Sequence, residues 1–406
     1  MKMNLRIVEL CTDKLPCPPE RGGAIETYVY GISKAIVNSG AEVHLVTTRK
    51  REDVNYGDIH VHTLDLTHPL SIRFYKVFSR ITREGGNIPY LTAKLVKIFK
   101  AIEDLYGEIH VIHSHFYTTS FAPLFFKYFM GKDTVIVMHL HNEPRHNIKV
   151  LLDRYDAVLA VSKYIKHYTK SRLNINEKKI AVIYNAVDTD FFKPCRPLEI
   201  EEKKKIFGVS EAPFIMTFIG RVVPEKGLHH LLLASKILAM KGYKFKLLIA
   251  GPLGRFDKES LEGYPRLCFE LINSLGISEH VKYLGLLEED LKRDLYCISD
   301  LVVVPSIWEE PCPTVILEAM AMGKPVVAYA SGGIPELLPP FGGILISKKN
   351  RKHLVQAVEN IMRGEVSIDR TALIEYVRRN FSYGVIARKL LRILHEIVNQ
   401  GNIDSA

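Results

Sequence analysis

Apolar residues fall along this chain in short continuous runs, separated by longer stretches where they recur every three to four positions. Continuous runs suit strands buried on both faces, and the three-to-four spacing suits helices with one apolar face. In the first half the pattern predicts strands at residues 5–10, 43–47, 59–64, 110–113, 135–140, 157–161 and 181–184, with helices between them such as 24–38 and 162–172. Repeated strand–helix–strand units imply an open parallel sheet. The rhythm breaks at NAVDTDFFKPCRPLEIEEKKK, where two prolines precede a charged run, and this reads as a linker centred near residues 188–205. Alternation then restarts, with strands predicted at 214–219, 246–250, 281–284, 301–304, 325–328 and 343–346. Helices are predicted at 228–241, 259–275, 291–297, 314–322 and 353–362. The expectation is an α/β protein of two doubly wound halves.

A length of 406 residues agrees with two domains. With 47% hydrophobic and 25% charged residues, disorder and a disulfide scaffold are excluded as whole-chain descriptions. No run approaches the ~18 apolar residues of a membrane span. The first residues read as a strand rather than a signal peptide, because Arg6 and Glu9 interrupt their apolar run. The six cysteines (11, 17, 195, 268, 297 and 312) form no C-x-x-C pair, so reduced, packed thiols are expected. A net charge of +10 favours anionic partners without choosing among them.

Ligands of doubly wound sheets sit beyond the carboxyl ends of the strands. The segment PSIWEEPCPTVILEAMAMGKPVVAYASGGIPELL places Glu310 and Glu318 there. Pro311 keeps Glu310 out of regular helix, and Pro313 suits the start of a helix that carries Glu318 one turn in. Carboxylates accept hydrogen bonds from vicinal hydroxyls, and the N–H groups of Thr314 and Val315 at the helix start suit phosphate oxygens. In IGRVVPEKGLHHLL, Arg221 and Lys226 follow a strand and can neutralise a diphosphate, while Gly227 turns the chain into the next helix. In PERGGAIETYVYGISKAI, Gly22 and Gly23 allow close backbone approach to a phosphate or sugar. Their spacing lacks the full G-x-G-x-x-G pattern, so dinucleotide binding is not supported. Two H-x-H pairs, His113/His115 and His139/His141, each share a strand face. Zinc is one reading of them. A histidine beside a leaving phosphate or sugar hydroxyl is the favoured one, with backbone-satisfied packing the alternative for His113 and His139.

Taken in order, these segments resemble the retaining nucleotide-sugar glycosyltransferases of glycosyltransferase family 4 (glycosyl transferases group 1). The resemblance spans nearly the whole chain and is most specific at Glu310…Glu318 and the residues that follow. It implies a GT-B fold, two Rossmann-like domains facing a central cleft. The domains would be residues 1–195 on the acceptor side and 196–380 for the nucleotide sugar, with residues 381–406 crossing back to the first. By the same resemblance Arg221 and Lys226 grip the diphosphate and Glu318 binds the ribose. Glu310 contacts the donor sugar, Gly23 approaches its phosphate, and His141 lies near the sugar. One departure is Cys312-Pro313, where many members carry Phe-Gly; proline removes an N–H, so phosphate contact rests on Thr314 and Val315.

The implied activity is transfer of a hexose or N-acetylhexosamine from a nucleotide diphosphate sugar to a hydroxyl acceptor, with retention, in glycan, glycolipid or cell-envelope synthesis. No cofactor and no metal are expected. An epimerase or a sugar phosphorylase on the same architecture is the alternative. Residues 70–83 (LSIRFYKVFSRITR) and 93–102 (AKLVKIFKAI) mix basic and apolar positions as a segment lying on an anionic bilayer does. A lipid-linked or glycan acceptor and a cytoplasmic chain in peripheral contact with the inner face of the membrane are therefore expected. No nucleic-acid-binding module is recognisable, so nucleic acid is not an expected partner.

Overall fold

The computed structural model describes residues 4–65, 88–255, 258–347 and 349–400. The chain divides into one unit of Met1–Ala186 with Tyr383–Ala406 and a second of Val187–Ser382. The basic segment 70–83 lies outside the described residues.

The first unit is built on seven parallel strands: β1 (Arg6–Leu10), β2 (Glu42–Thr47), β3 (His60–Thr63), β4 (Val111–Ser114), β5 (Val135–Leu140), β6 (Ala157–Ala160) and β7 (Ile180–Val182). Their spatial order is β3-β2-β1-β4-β5-β6-β7, so the winding reverses between β1 and β4. Ile7 sits level with both Val43 and Val111, and Glu9 with His113. Helix Ala24–Val37 lays Val29, Ile32 and Ile36 on the sheet. Helix Tyr383–Gln400 adds Ile386, Leu390, Leu394 and Ile397 to the same core, at the three-to-four spacing of one helical face. Each such side chain contributes about 1.5–3 kcal/mol by leaving water.

The second unit has a six-stranded parallel sheet of order β12-β9-β8-β13-β14-β15. Its strands are β8 (Ile215–Ile219), β9 (Lys246–Ala250), β12 (Val281–Tyr283), β13 (Leu301–Val304), β14 (Val326–Tyr329) and β15 (Gly343–Ile346), with a small hairpin of β10 (Gly254–Arg255) and β11 (Lys258–Glu259) beside it. Here the winding reverses between β8 and β13. Met216, Leu247, Val303 and Val327 from the strands meet Leu231 and Leu238 from helix Leu228–Met240 and Leu354 and Val358 from helix Arg351–Met362.

Three sequence expectations change. The segment read as a linker holds a helix, Pro197–Ile206. Pro197 opens it, Glu199 accepts from the Arg196 N–H at 2.7 Å, and Lys203 pairs with Asp294 at 2.5 Å. The helix predicted from residue 259 starts at Tyr264, because Gly263 in the left-handed region and Pro265 set its first turn. Finally, not all thiols are free: Cys195 is disulfide-bonded to Cys297, with Cα atoms 5.7 Å apart, while Cys11, Cys17, Cys268 and Cys312 are buried thiols. The two partners are 102 residues apart, and only the folded chain makes them neighbours. No helix among the described residues is long and apolar enough to cross a membrane.

Candidate functional site

In the second unit the loops after β8 and β13 leave the sheet where its winding reverses, the place such sheets reserve for ligands. The two loops are stitched together by the Ile307 N–H donating to the Glu225 carbonyl at 2.9 Å. Gly227 makes this closeness possible. It has φ +69°, and a Cβ there would lie 2.0 Å from the Pro305 carbonyl oxygen. The result is contact between two predicted site residues. Lys226 Nζ donates to Glu310 Oε1 at 2.6 Å, and Ser306 Oγ donates to the same oxygen at 2.6 Å. Glu310 is buried, and its own carbonyl is held by the Gly333 N–H at 2.7 Å. Lys226, Ser306, Glu310, Pro313 and Val315 border one small cavity of about 20 Å³.

Helix Thr314–Ala321 starts at the edge of this cavity, with Pro313 as its extended N-cap residue. The first N–H groups of any helix lack an acceptor within it, so Thr314 and Val315 offer two donors. Glu318 is buried, not a solvated surface charge. Tyr296 OH donates to its Oε2 at 2.7 Å and Lys292 Nζ to its Oε1 at 3.1 Å. Burial and the neighbouring Glu318 push the Tyr296 phenol well above its ordinary range. Burial pulls Lys292 down, but Glu318 and Glu289 outweigh it and its pKa is raised. The half-buried Arg221 side chain has no partner among the described residues and is available to an anion.

The remaining predicted residues belong to the first unit. Gly22 and Gly23 follow β1 in the left-handed region, and Gly23 is the N-cap residue of helix Ala24–Val37. A Cβ on Gly23 would meet Glu26 Oε2 at 2.8 Å, so the loop closes tightly on its own helix. His141 lies at the end of β5 in a buried group with His113, His115, His139 and Glu9. Glu9 accepts from His115 Nε2 at 2.8 Å and from His113 Nδ1 at 3.0 Å. His115 Nδ1 lies 3.0 Å from His141 Nε2, and His139 Nε2 donates to the Ile183 carbonyl at 3.3 Å. Burial and the neighbouring rings push His139 and His141 well below their ordinary pKa, and burial with His113 lowers His115 to about 4. Burial alone would raise Glu9, but His113 and His115 hold it down at about 2. His115, His139 and His141 are therefore held towards their neutral forms beside an ionised Glu9.

Four partners escaped the sequence reading. Ser306, Lys292 and Tyr296 carry no local motif and reach the glutamates only through the fold. Glu9 did leave a signal, since a carboxylate inside an apolar strand is rare unless paired.

Two family models match the chain: "Glycosyltransferase Family 4" over residues 22–191 and "Glycosyl transferases group 1" over residues 199–380. An uncharacterised glycosyltransferase of Methanocaldococcus jannaschii is 28% identical over 365 residues, covering 85% of this chain and 86% of that protein. The phosphatidylinositol N-acetylglucosaminyltransferase GPI3 subunit of Saccharomyces cerevisiae is 24% identical over 399 residues, covering 95% of this chain and 82% of its own. Among solved structures, the Anabaena protein HepE in complex with UDP-glucose superposes with a TM-score of 0.73 at 20% identity, over 96% of this chain and 99% of that one.

Proposed function

The chain belongs to the glycosyl transferases group 1 and has their GT-B fold, and from that premise we propose that it moves a hexose or N-acetylhexosamine from a nucleotide diphosphate sugar to a hydroxyl acceptor, with retention of configuration. The observation that carries this reading is the Lys226–Glu310–Ser306 cluster beside the start of helix Thr314–Ala321. A diphosphate needs cations and N–H donors, and Arg221, Lys226, Thr314 and Val315 supply both. A sugar needs acceptors for its hydroxyls, and Glu310 supplies one that its neighbours hold in place. Glu318 is oriented by Tyr296 and Lys292 to accept from the ribose diol.

In this reading the C1–O bond to the diphosphate breaks while the acceptor oxygen bonds to C1 from the same face. The departing diphosphate takes the acceptor proton. Arg221, Lys226 and the helix N-terminus stabilise the growing negative charge, a term usually larger than any other in such catalysis. These groups do the work a divalent ion does elsewhere, so transfer is expected without one. Gly22, Gly23 and His141 are assigned to the same step. His141→Ala is their separate test.

The acceptor is proposed to be lipid-linked. In the first unit, helix Ile88–Tyr106 and the segments around Phe121–Phe129 and Lys149–Arg154 enclose a groove of about 770 Å³. Val96, Leu124, Phe125 and Phe129 line it, and the exposed Lys97, Lys100 and Arg154 stand on its rim. An apolar trough with a cationic rim fits the chain and head of an anionic lipid. The yeast relative is a phosphatidylinositol glycosyltransferase by name, which agrees with such an acceptor. The deciding experiment is a donor panel of UDP-, GDP- and ADP-sugars with and without a chelator, assayed on phosphatidylglycerol vesicles doped with lipid acceptors. Donor-specific turnover lost in Glu310→Gln supports the proposal. Anomerised or epimerised donor without acceptor, or phosphorolysis, would replace it.

A further inference from the structure

Apart from His141, the histidine group of the first unit has chemistry that the transfer reaction does not use. We propose that His113, His115 and His139, completed by His141, form a buried site for one divalent cation of the zinc class.

The tautomers follow from the partners. An ionised carboxylate and a backbone carbonyl can only accept, so His113 donates through Nδ1, His115 through Nε2 and His139 through Nε2. Each ring is thus left with a lone pair on its other nitrogen. Two of these, His113 Nε2 and His139 Nδ1, have no hydrogen-bond partner, although both residues are wholly buried. Buried acceptors are rarely left so, and two in one cluster suit a ligand that takes both lone pairs. Metal-binding histidines carry this signature: one nitrogen faces the ion while the other donates to a carboxylate or carbonyl. Glu9 and the Ile183 carbonyl fill those outer roles.

The geometry agrees. One nitrogen from each of His113, His115 and His139 lies within 4.8 Å of the others. Corners no farther apart than that lie at most about 2.8 Å from a common centre, so shifts of up to about 0.7 Å reach a zinc–nitrogen distance of about 2.1 Å. His141 Nε2, 3.0 Å from the His115 Nδ1 lone pair, donates to it in the metal-free cluster and becomes the fourth ligand on giving up that proton. It is also the most exposed of the four, at 9%, which gives the ion a way in.

Charge agrees as well. Glu9 is fully buried and ion-paired only to histidines, with no lysine or arginine beside it among the described residues. A cation among these rings supplies a counter-charge for the buried carboxylate. Four nitrogen donors and no thiolate suit Zn²⁺, Cu²⁺ or Ni²⁺ rather than Ca²⁺ or Mg²⁺. The ion would pin the ends of β4 and β5 and orient His141. It is independent of the transferase reading except at His141, which that reading also uses, and the three-histidine core does not need that residue.

The test uses full-length protein without a polyhistidine tag, loaded with Zn²⁺, desalted and analysed for metal. Retention of about one zinc per chain is expected, with a loss of at least about tenfold in His113→Gln and in His139→Gln. A control, His60→Gln with His62→Gln, alters the separate histidine group around His44 and should keep the zinc. If the core variants do not fold, Co²⁺-loaded wild type decides through the visible bands of a tetrahedral nitrogen site, displaced by Zn²⁺. Folded wild type with neither zinc nor those bands overturns the proposal and leaves a shared proton as the counter-charge. Zinc lost only from the control variant overturns it too.

Discussion

Lys226 and Glu310 are 84 residues apart in sequence and 2.6 Å apart in the fold, and they meet because the loops after β8 and β13 leave adjacent strands where the winding reverses. The pair is asymmetric: Glu310 is buried, while the Lys226 side chain keeps 21% of its exposure. Removing the lysine therefore strands a charge, and removing the charge of the glutamate does not. Lys226→Met should lose ~2 kcal/mol of stability, below the ~3–5 kcal/mol typical of fully buried pairs. Glu310→Gln should lose less stability but ~100-fold in kcat. The double variant should regain most of the stability that Lys226→Met lost. Urea denaturation and steady-state kinetics on the three variants check this.

Glu318 is held by Tyr296 and Lys292 before any ligand arrives. Glu318→Ala should weaken nucleotide-sugar binding by ~10–100-fold, the range of a lost charge-assisted hydrogen bond. Tyr296→Phe should weaken it by no more than ~5-fold, because Lys292 still orients the carboxylate. Calorimetric titration with the preferred donor separates the two.

Trp308 is the single tryptophan of the chain, and its ring lies 6.0 Å from Lys226 Nζ. Donor binding that redirects Lys226 from Glu310 to phosphate should change Trp308 fluorescence. The change should saturate with donor and vanish in Lys226→Met. A flat titration curve alongside calorimetric binding would place the diphosphate away from Lys226.

Burial, with Arg370 adding to it, lowers Lys324 to about 8, and its Nζ donates to the Cys297 carbonyl at 2.8 Å. A lysine depressed in the folded state holds fewer protons there than in the unfolded chain between pH 8 and about 10.5, so stability rises with pH across that window. The charged form is the costly one, and the cost is fully present below pH 8. Relative to Lys324→Met, the wild type should gain up to ~3 kcal/mol between pH 7 and 10. Denaturation curves of both proteins at matched pH values measure the difference.

Cys195–Cys297 closes a loop spanning 102 residues. Loops of that length gain up to ~4–5 kcal/mol from a cross-link in the chain-entropy account. Cys195→Ser should lower the unfolding midpoint of the second unit by a matching amount. Addition of reductant should do the same to the wild type and nothing further to the variant.

The parts of this molecule legible in sequence are those whose signal is local. Strands of continuous Val, Ile and Leu, the Arg221–Gly227 loop and the Glu310–Glu318 spacing each announce themselves within a few residues, and the fold keeps them at strand ends and helix starts. What stayed hidden is long-range. Nothing around Tyr296 marks it as a partner of Glu318, and nothing around Cys195 marks it as a partner of Cys297. Glu9 was visible as an oddity within its strand. Its meaning came only from the register that sets it level with His113. The helix inside the segment read as a linker stayed hidden because a charged run is also what an exposed helix shows once proline starts it and a glutamate holds its first turn.

The second unit is one uninterrupted stretch of chain, whereas the first takes Ile386, Leu390, Leu394 and Ile397 from the far side of it. On a ribosome, then, the unit encoded first is completed last. While residues 187–382 emerge and fold, the apolar surface that Ile386, Leu390, Leu394 and Ile397 will cover waits without them. That interval exposes sticky surface of the kind chaperones hold. Translation halted near residue 382 should yield a folded second unit tethered to an aggregation-prone first one.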